Sequence, residues 1–99
     1  MKQASELTIK EMNQFLSENL FGGTAEIVDY TLSPNWAMVI EKMHERWITT
    51  QIHSVKSETF EVTMHHMFGC HLGHVACDNT IGKAVCRATI KYLQKRCEK

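Results

Sequence analysis

The chain has 99 residues, 43% hydrophobic and 22% charged, with eleven basic residues balanced by eleven acidic ones. That length makes a single domain over 1–99 with one modest core, and the composition is that of a folded chain rather than a disordered one. Zero net charge excludes the basic footprint that binding to duplex nucleic acid requires, and it leaves little repulsion against self-association.

No apolar run approaches the roughly 20 residues of a membrane-crossing helix, so no membrane partner is expected. The opening Met1-Lys-Gln-Ala-Ser-Glu-Leu-Thr8 has no signal-peptide apolar region, which makes the cytoplasm the expected location. In that compartment Cys70, Cys77, Cys86 and Cys97 read as reduced thiols or metal ligands rather than as two disulfides.

In chain order, Thr8 with Glu11 forms a capping box, and Leu7 with Met12 has the spacing of a hydrophobic staple. Ile9, Met12, Phe15, Leu16 and Leu20 continue as a helical stripe that Gly22-Gly23 ends, predicting a helix from Thr8 to about Phe21. Thr24 to Leu32 reads as extended or irregular. Ser33 as cap and Pro34 at the first helical position open a second helix to about Arg46. Its apolar face is Trp36, Val39, Ile40, Met43 and Trp47, with core packing the default for both tryptophans.

The period then changes. Ile48 to Val55 and Thr59 to Met67 alternate on either side of a polar Lys56-Ser57-Glu58 connection, which is a hairpin pattern, and Gly69 breaks it. Leu72 to Cys77 supplies a third short strand, and Asp78-Asn79-Thr80 caps a last helix. That helix carries Ile81, Ala84, Val85, Ala88 and Tyr92 as one stripe, widened by Cys86, Ile90 and Leu93. The basic end Lys91, Lys95, Arg96 and Lys99 complements the helix dipole and reads as a solvated helix terminus. The fold class is therefore α+β, a three-stranded antiparallel meander with helices packed on it in the order α-α-β-β-β-α.

Three stretches in order resemble the phage ABA sandwich domain, a family of small phage and prophage proteins. Glu11-Met-Asn-Gln-Phe-Leu-Ser-Glu-Asn-Leu-Phe-Gly22 is similar to its opening helix, and Tyr30-Thr-Leu-Ser-Pro-Asn-Trp-Ala-Met-Val-Ile-Glu-Lys-Met43 to its Tyr-Ser-x-x-Trp helix entry. Ala76-Cys-Asp-Asn-Thr-Ile-Gly-Lys-Ala-Val-Cys-Arg-Ala-Thr-Ile-Lys91 is similar to its closing helix. The resemblance implies a sheet with helical layers and a phage or prophage origin, and it brings no catalytic residues with it. Family members often carry Pro near the start of the last helix, where this chain has Ile81-Gly82. A glycine there is expected to weaken the helix start by about 0.5–1 kcal/mol relative to Ala.

The densest chemical cluster is His65-His66-Met-Phe-Gly-Cys70-His71-Leu-Gly-His74-Val-Ala-Cys77. His66, Cys70, His74 and Cys77 supply the ligand types that Zn²⁺ prefers, although their spacing matches no paired CxxC pattern. His65 and His66, adjacent on a strand, must point to opposite faces. Tyr30 and Trp47 are the candidate aromatic platforms for a nucleobase ligand, and His53 and His65 complete the candidate ligand-binding set. A Cys/His nucleophile pair, Cys70 with His71 or Cys77 with His53, lacks a visible orienting partner or oxyanion site, so no catalytic residue and no enzyme activity is expected. Gly22-Gly23 precedes no helix and makes no phosphate loop, and no cofactor is expected.

The leading expectation is a small non-enzymatic phage or prophage accessory protein in the host cytoplasm. It would act by binding, as counter-defence that sequesters a host protein or a small signalling nucleotide, and as a homo-oligomer. The alternative is a structural zinc module built on the cluster of residues 65–77.

Overall fold

A computed structural model describes residues 3–23, 27–68 and 74–97. The elements are a 3₁₀ turn Ala4–Glu6, α1 Ile9–Asn19, α2 Asn35–Glu45, β1 Ile48–Lys56, β2 Thr59–His66, β3 His74–Asp78 and α3 Ile81–Cys97. The order α-α-β-β-β-α and the single antiparallel sheet β1-β2-β3 are those expected from the sequence. No helix is long and apolar enough to cross a membrane, among the described residues.

Local chemistry accounts for most boundaries. Thr8 caps α1 reciprocally: Glu11 N donates to Thr8 Oγ1 at 3.2 Å and Thr8 N donates to Glu11 Oε1 at 2.9 Å. Gly22 and Gly23 end that helix at φ +80° and +73°, and Gly23 N returns to Ser17 O at 2.7 Å. Thr80 caps α3 through its Oγ1, which accepts from Lys83 N at 3.2 Å. The β1–β2 register runs from Ile48↔His66 to Lys56↔Thr59 around a two-residue Ser57–Glu58 turn, with Glu58 at φ +62°.

One expected start is corrected. Pro34 rather than Ser33 occupies the cap of α2, without a side-chain cap bond, and the Ser33–Pro34 peptide is cis. The entry is held instead by Asn35 Nδ2 donating to Asp29 O at 3.0 Å and Trp36 N donating to Leu32 O at 3.2 Å. β3 begins at His74 and ends at Asp78, and the expected Gly69 break and Leu72 start lie outside the described residues. The turn at Ala4–Glu6, with Gln3 N donating to Glu6 Oε1 at 3.3 Å, had no counterpart in the sequence reading.

The helices share one core with a single sheet face. Ile48, Val62 and Met64 from the sheet join Met12, Leu16, Val39, Met43 and the α3 residues Ala84, Val85, Cys86, Ala88 and Ile90, all buried. Because side chains alternate along a strand, the opposite face presents Gln51, His53, Glu61, Thr63 and His65. This polar set suits a face turned to water.

Trp47 is not in the core. It ends α2 in the left-handed conformation, φ +64°, a position where glycine is usual and an ordinary residue is strained by about 1–2 kcal/mol. That reversal breaks the 3.6-residue period, so the indole is 57% exposed instead of continuing the Val39–Met43 stripe.

A polar latch joins α1, the 27–35 segment and α3. Asp29 Oδ1 accepts from Thr31 Oγ1 at 2.5 Å, Thr31 N at 3.0 Å and Asn13 Nδ2 at 3.3 Å, while Asn13 Oδ1 accepts from Tyr30 N at 2.9 Å. The α3 backbone lies so close to this latch that a Cβ at Gly82 would overlap the Thr31 carbonyl. Gly82 is thus required by a close backbone approach, which outweighs the helix-propensity penalty.

We expect Gly82→Ala to destabilise the fold by about 1–3 kcal/mol through overpacking. Helix propensity alone would stabilise it by about 0.5–1 kcal/mol, so the sign of the urea-midpoint shift decides between the two.

Candidate ligand-binding cleft

The residues singled out in the sequence do not converge. Tyr30 is 1% exposed and stacks face to face on Phe21, centroids 4.8 Å apart at 1°, so neither face of its ring is open to a ligand. His53 and His65 share the polar sheet face. Their partners Glu61 and Thr49 place them four positions apart along the ladder, roughly 13 Å. Trp47 lies beyond the β1 start, beside Phe68.

The zinc set is also divided. Cys70 and the His74 side chain lie outside the described residues. His66 and Cys77, the other two, sit on opposite sheet faces, and Cys77 pairs with Glu61, five residues from His66 along β2. A separation of roughly 16 Å along the strand prevents both from binding one ion. No group of three His, Cys, Asp or Glu able to hold a metal occurs among the described residues. The register also puts Glu61 between His53 and Cys77, parting these two by two inter-strand spacings, roughly 10 Å. They form no nucleophile–base contact.

A concave site lies elsewhere. A cleft of about 450 Å³ opens between the 3₁₀ turn, the outer edge of β3 and the second half of α3. Gln3, Ala4 and Ser5 form one wall, Val75, Ala76 and Cys77 the second, and Arg87, Lys91, Gln94 and Lys95 the third. Arg87, Lys91 and Lys95 recur every four residues, so one helical face directs all three into the cleft. None of the described residues lining it is acidic.

The three cations differ in state. Arg87 Nε donates to Asp78 Oδ2 at 2.6 Å, and its Nη1 donates to Ala4 O at 2.9 Å and Leu7 O at 3.1 Å. The side chains of that ion pair are only 16% and 18% exposed. Burial pushes the Asp78 carboxyl up, but the Arg87 bond, the Asn79 N–H and the charges of Arg87 and Lys83 more than offset it, leaving it below its ordinary value. Arg87 is therefore structural and largely neutralised. Lys91 Nζ donates to the uncharged Val75 carbonyl at 3.1 Å, and Lys95 is exposed.

Cys77 is an exposed thiol at the cleft wall, whereas Cys86 is buried in the core. Burial, reinforced by the charge of Asp29 and opposed by Arg87, pushes the Cys86 thiol up to about 12. Reactivity needs the thiolate, so Cys86 is inert in the folded protein.

Sequence reading placed Lys91 and Lys95 on a merely solvated helix end and gave Arg87 no role. The four-residue recurrence of Arg87, Lys91 and Lys95 was the available signal. What it lacked was the opposing wall, supplied by residues some 80 positions away. Comparison of the chain with protein-family models, curated proteins and solved structures finds no match.

Two outcomes follow from this geometry. Iodoacetamide should label Cys77 in the native protein and reach Cys86 only after unfolding, as peptide mass mapping would read. The lowered Asp78 carboxyl contributes stability above its unfolded-state value and loses it as pH falls through the folded one. Asp78→Asn should cost about 1–3 kcal/mol at neutral pH and flatten the loss of stability below about pH 4, measured by urea unfolding across pH.

Proposed function

We propose that the protein is a non-enzymatic accessory protein of phage or prophage origin that acts by binding a small anion of the signalling-nucleotide class. The observation that carries this reading is the charge of the cleft. In a chain of zero net charge, its lining brings Lys91 and Lys95 together beside the ion-paired Arg87, with no acidic residue among the described lining residues. A volume of about 450 Å³ lies in the range of small-molecule pockets.

Lys91 and Lys95 act as point charges for a phosphate or carboxylate, with Lys91 already oriented by Val75 O. Arg87, held by Asp78 and two carbonyls, is a fixed wall rather than a mobile clamp. Ala4, Val75 and Ala76 offer an apolar surface for the rest of the ligand. Among the described lining residues no histidine or carboxylate stands ready as a general base, which favours sequestration over turnover. The resemblance of residues 11–22, 30–43 and 76–91 to the phage ABA sandwich domain supports the origin.

Isothermal titration with mono- and cyclic nucleotides, together with native mass spectrometry, tests the proposal. We expect saturable binding that weakens at least tenfold in Lys91→Gln/Lys95→Gln and weakens with added salt. Hydrolysis of the ligand by pure protein, or binding unaffected by the double substitution, would overturn it.

A further inference from the structure

A second surface lies at the Trp47 end of the sheet. Trp47 is 57% and Phe68 77% exposed, and their rings touch with centroids 5.4 Å apart at an interplanar angle of 48°. His66 stands edge-on to Phe68, centroids 6.2 Å apart at 63°. We propose that this corner is a binding site for a planar aromatic ring, separate from the basic cleft.

Three observations support the assignment. First, the indole is turned outward by the backbone itself. Trp47 holds the left-handed conformation, φ +64°, that a bulky residue rarely adopts, and such strain concentrates at functional positions. Second, the backbone on both sides is fixed. Trp47 N donates to His44 O at 3.0 Å, Met67 N donates to Trp47 O at 2.8 Å, and Phe68 N donates to His66 Nδ1 at 3.2 Å. Rings mounted on anchored backbone lose little freedom when a ligand docks. Third, the 48° tilt keeps the rings from covering one another, so each leaves a face open in a wedge. An incoming ring can stack on one and meet the edge of the other.

The size of the patch selects the occupant. At 57% and 77% exposure the two side chains present roughly 250–300 Å². A stable protein partner, including a second copy of this chain, needs about 800 Å² per side. One heterocycle needs no more than the two rings provide. Stacking tolerates any flat π-face, so the class recognised is a planar aromatic ring, whether a free heterocycle or the base of a nucleoside.

The test uses Trp36→Phe protein, in which Trp47 is the sole tryptophan, titrated with uncharged adenosine, free adenine, adenosine monophosphate and sodium phosphate. Saturable quenching of Trp47 by adenosine is expected, with adenine alone sufficing if the ring is the whole determinant. Phe68→Ala should weaken adenosine binding about fivefold or more, within the range that loss of one stacking partner produces. Sodium phosphate should leave the emission unchanged. Linear, unsaturable quenching, or an affinity untouched by Phe68→Ala, would overturn the proposal. So would a Trp47 emission change that depends on protein concentration without ligand, which marks a second copy in the corner. Adenosine quenching of Trp47 untouched by Phe68→Ala, with adenosine monophosphate binding lost in Lys91→Gln/Lys95→Gln, would overturn the corner alone and leave the cleft standing.

Discussion

The Arg87 guanidinium ties three parts of the chain together at one point. It bonds the Asp78 carboxylate at the end of β3 and two carbonyls of the N-terminal segment, Ala4 and Leu7, 83 and 80 positions away in sequence. A neutral side chain could not bridge a carboxylate and two carbonyls at once, whereas the planar fork of arginine can. The 3₁₀ turn thereby becomes a wall against α3 and β3, and the cleft exists because that wall is in place. The same pairing withdraws the Arg87 charge from any ligand and leaves Lys91 and Lys95 to supply it.

On the other side of α3 a second polar junction performs the matching task. Thr31 N, Thr31 Oγ1 and Asn13 converge on the Asp29 carboxylate, and the hydroxyl of Thr31 contributes most to holding that carboxyl below its ordinary value. Gly82 lets the start of α3 settle against the Thr31 carbonyl. α3 is thus bounded near its N-terminus by a backbone contact and along its middle by an ion pair, with Ala84, Val85, Cys86, Ala88 and Ile90 buried in the core between them. In so short a chain two such junctions matter, because a single modest core leaves a narrow stability margin.

The two proposed sites, cleft and aromatic corner, would divide recognition into two chemistries. The cleft offers long-range, salt-sensitive attraction through two lysines, and the corner offers short-range stacking through Trp47 and Phe68. Both depend on edges of the sheet rather than on its centre. β3 has no strand beyond it among the described residues and turns its outer edge to the cleft, while the junction of α2 and β1 throws Trp47 outward. The polar sheet face, which carries the candidate ligand residues His53 and His65, brings neither of them into a constellation among the described residues.

Residues close in sequence were read correctly where local chemistry decides. Thr8 with Glu11, the Gly22-Gly23 stop, the alternation across Ile48–Lys56 and Thr59–His66, and the Thr80 cap all declare themselves within a few positions, because capping and pleating act over one turn or one strand. The site was less legible. Trp47 sits at the right helical spacing for the core and leaves it only because its own φ reverses. Tyr30 looked available and is enclosed, and His66 and Cys77, eleven positions apart, end on opposite faces. The sequence by itself determined the α+β class, the order of elements and the apolar stripes, since these follow from periodicity and end signals along a contiguous chain. Only the tertiary structure decided that Ala4 would face Arg87, that Gly82 would meet Thr31, and that Lys91 and Lys95 would border a cavity. Those contacts join segments far apart in sequence, and a pattern read along the chain carries no record of which distant backbone will be brought against it.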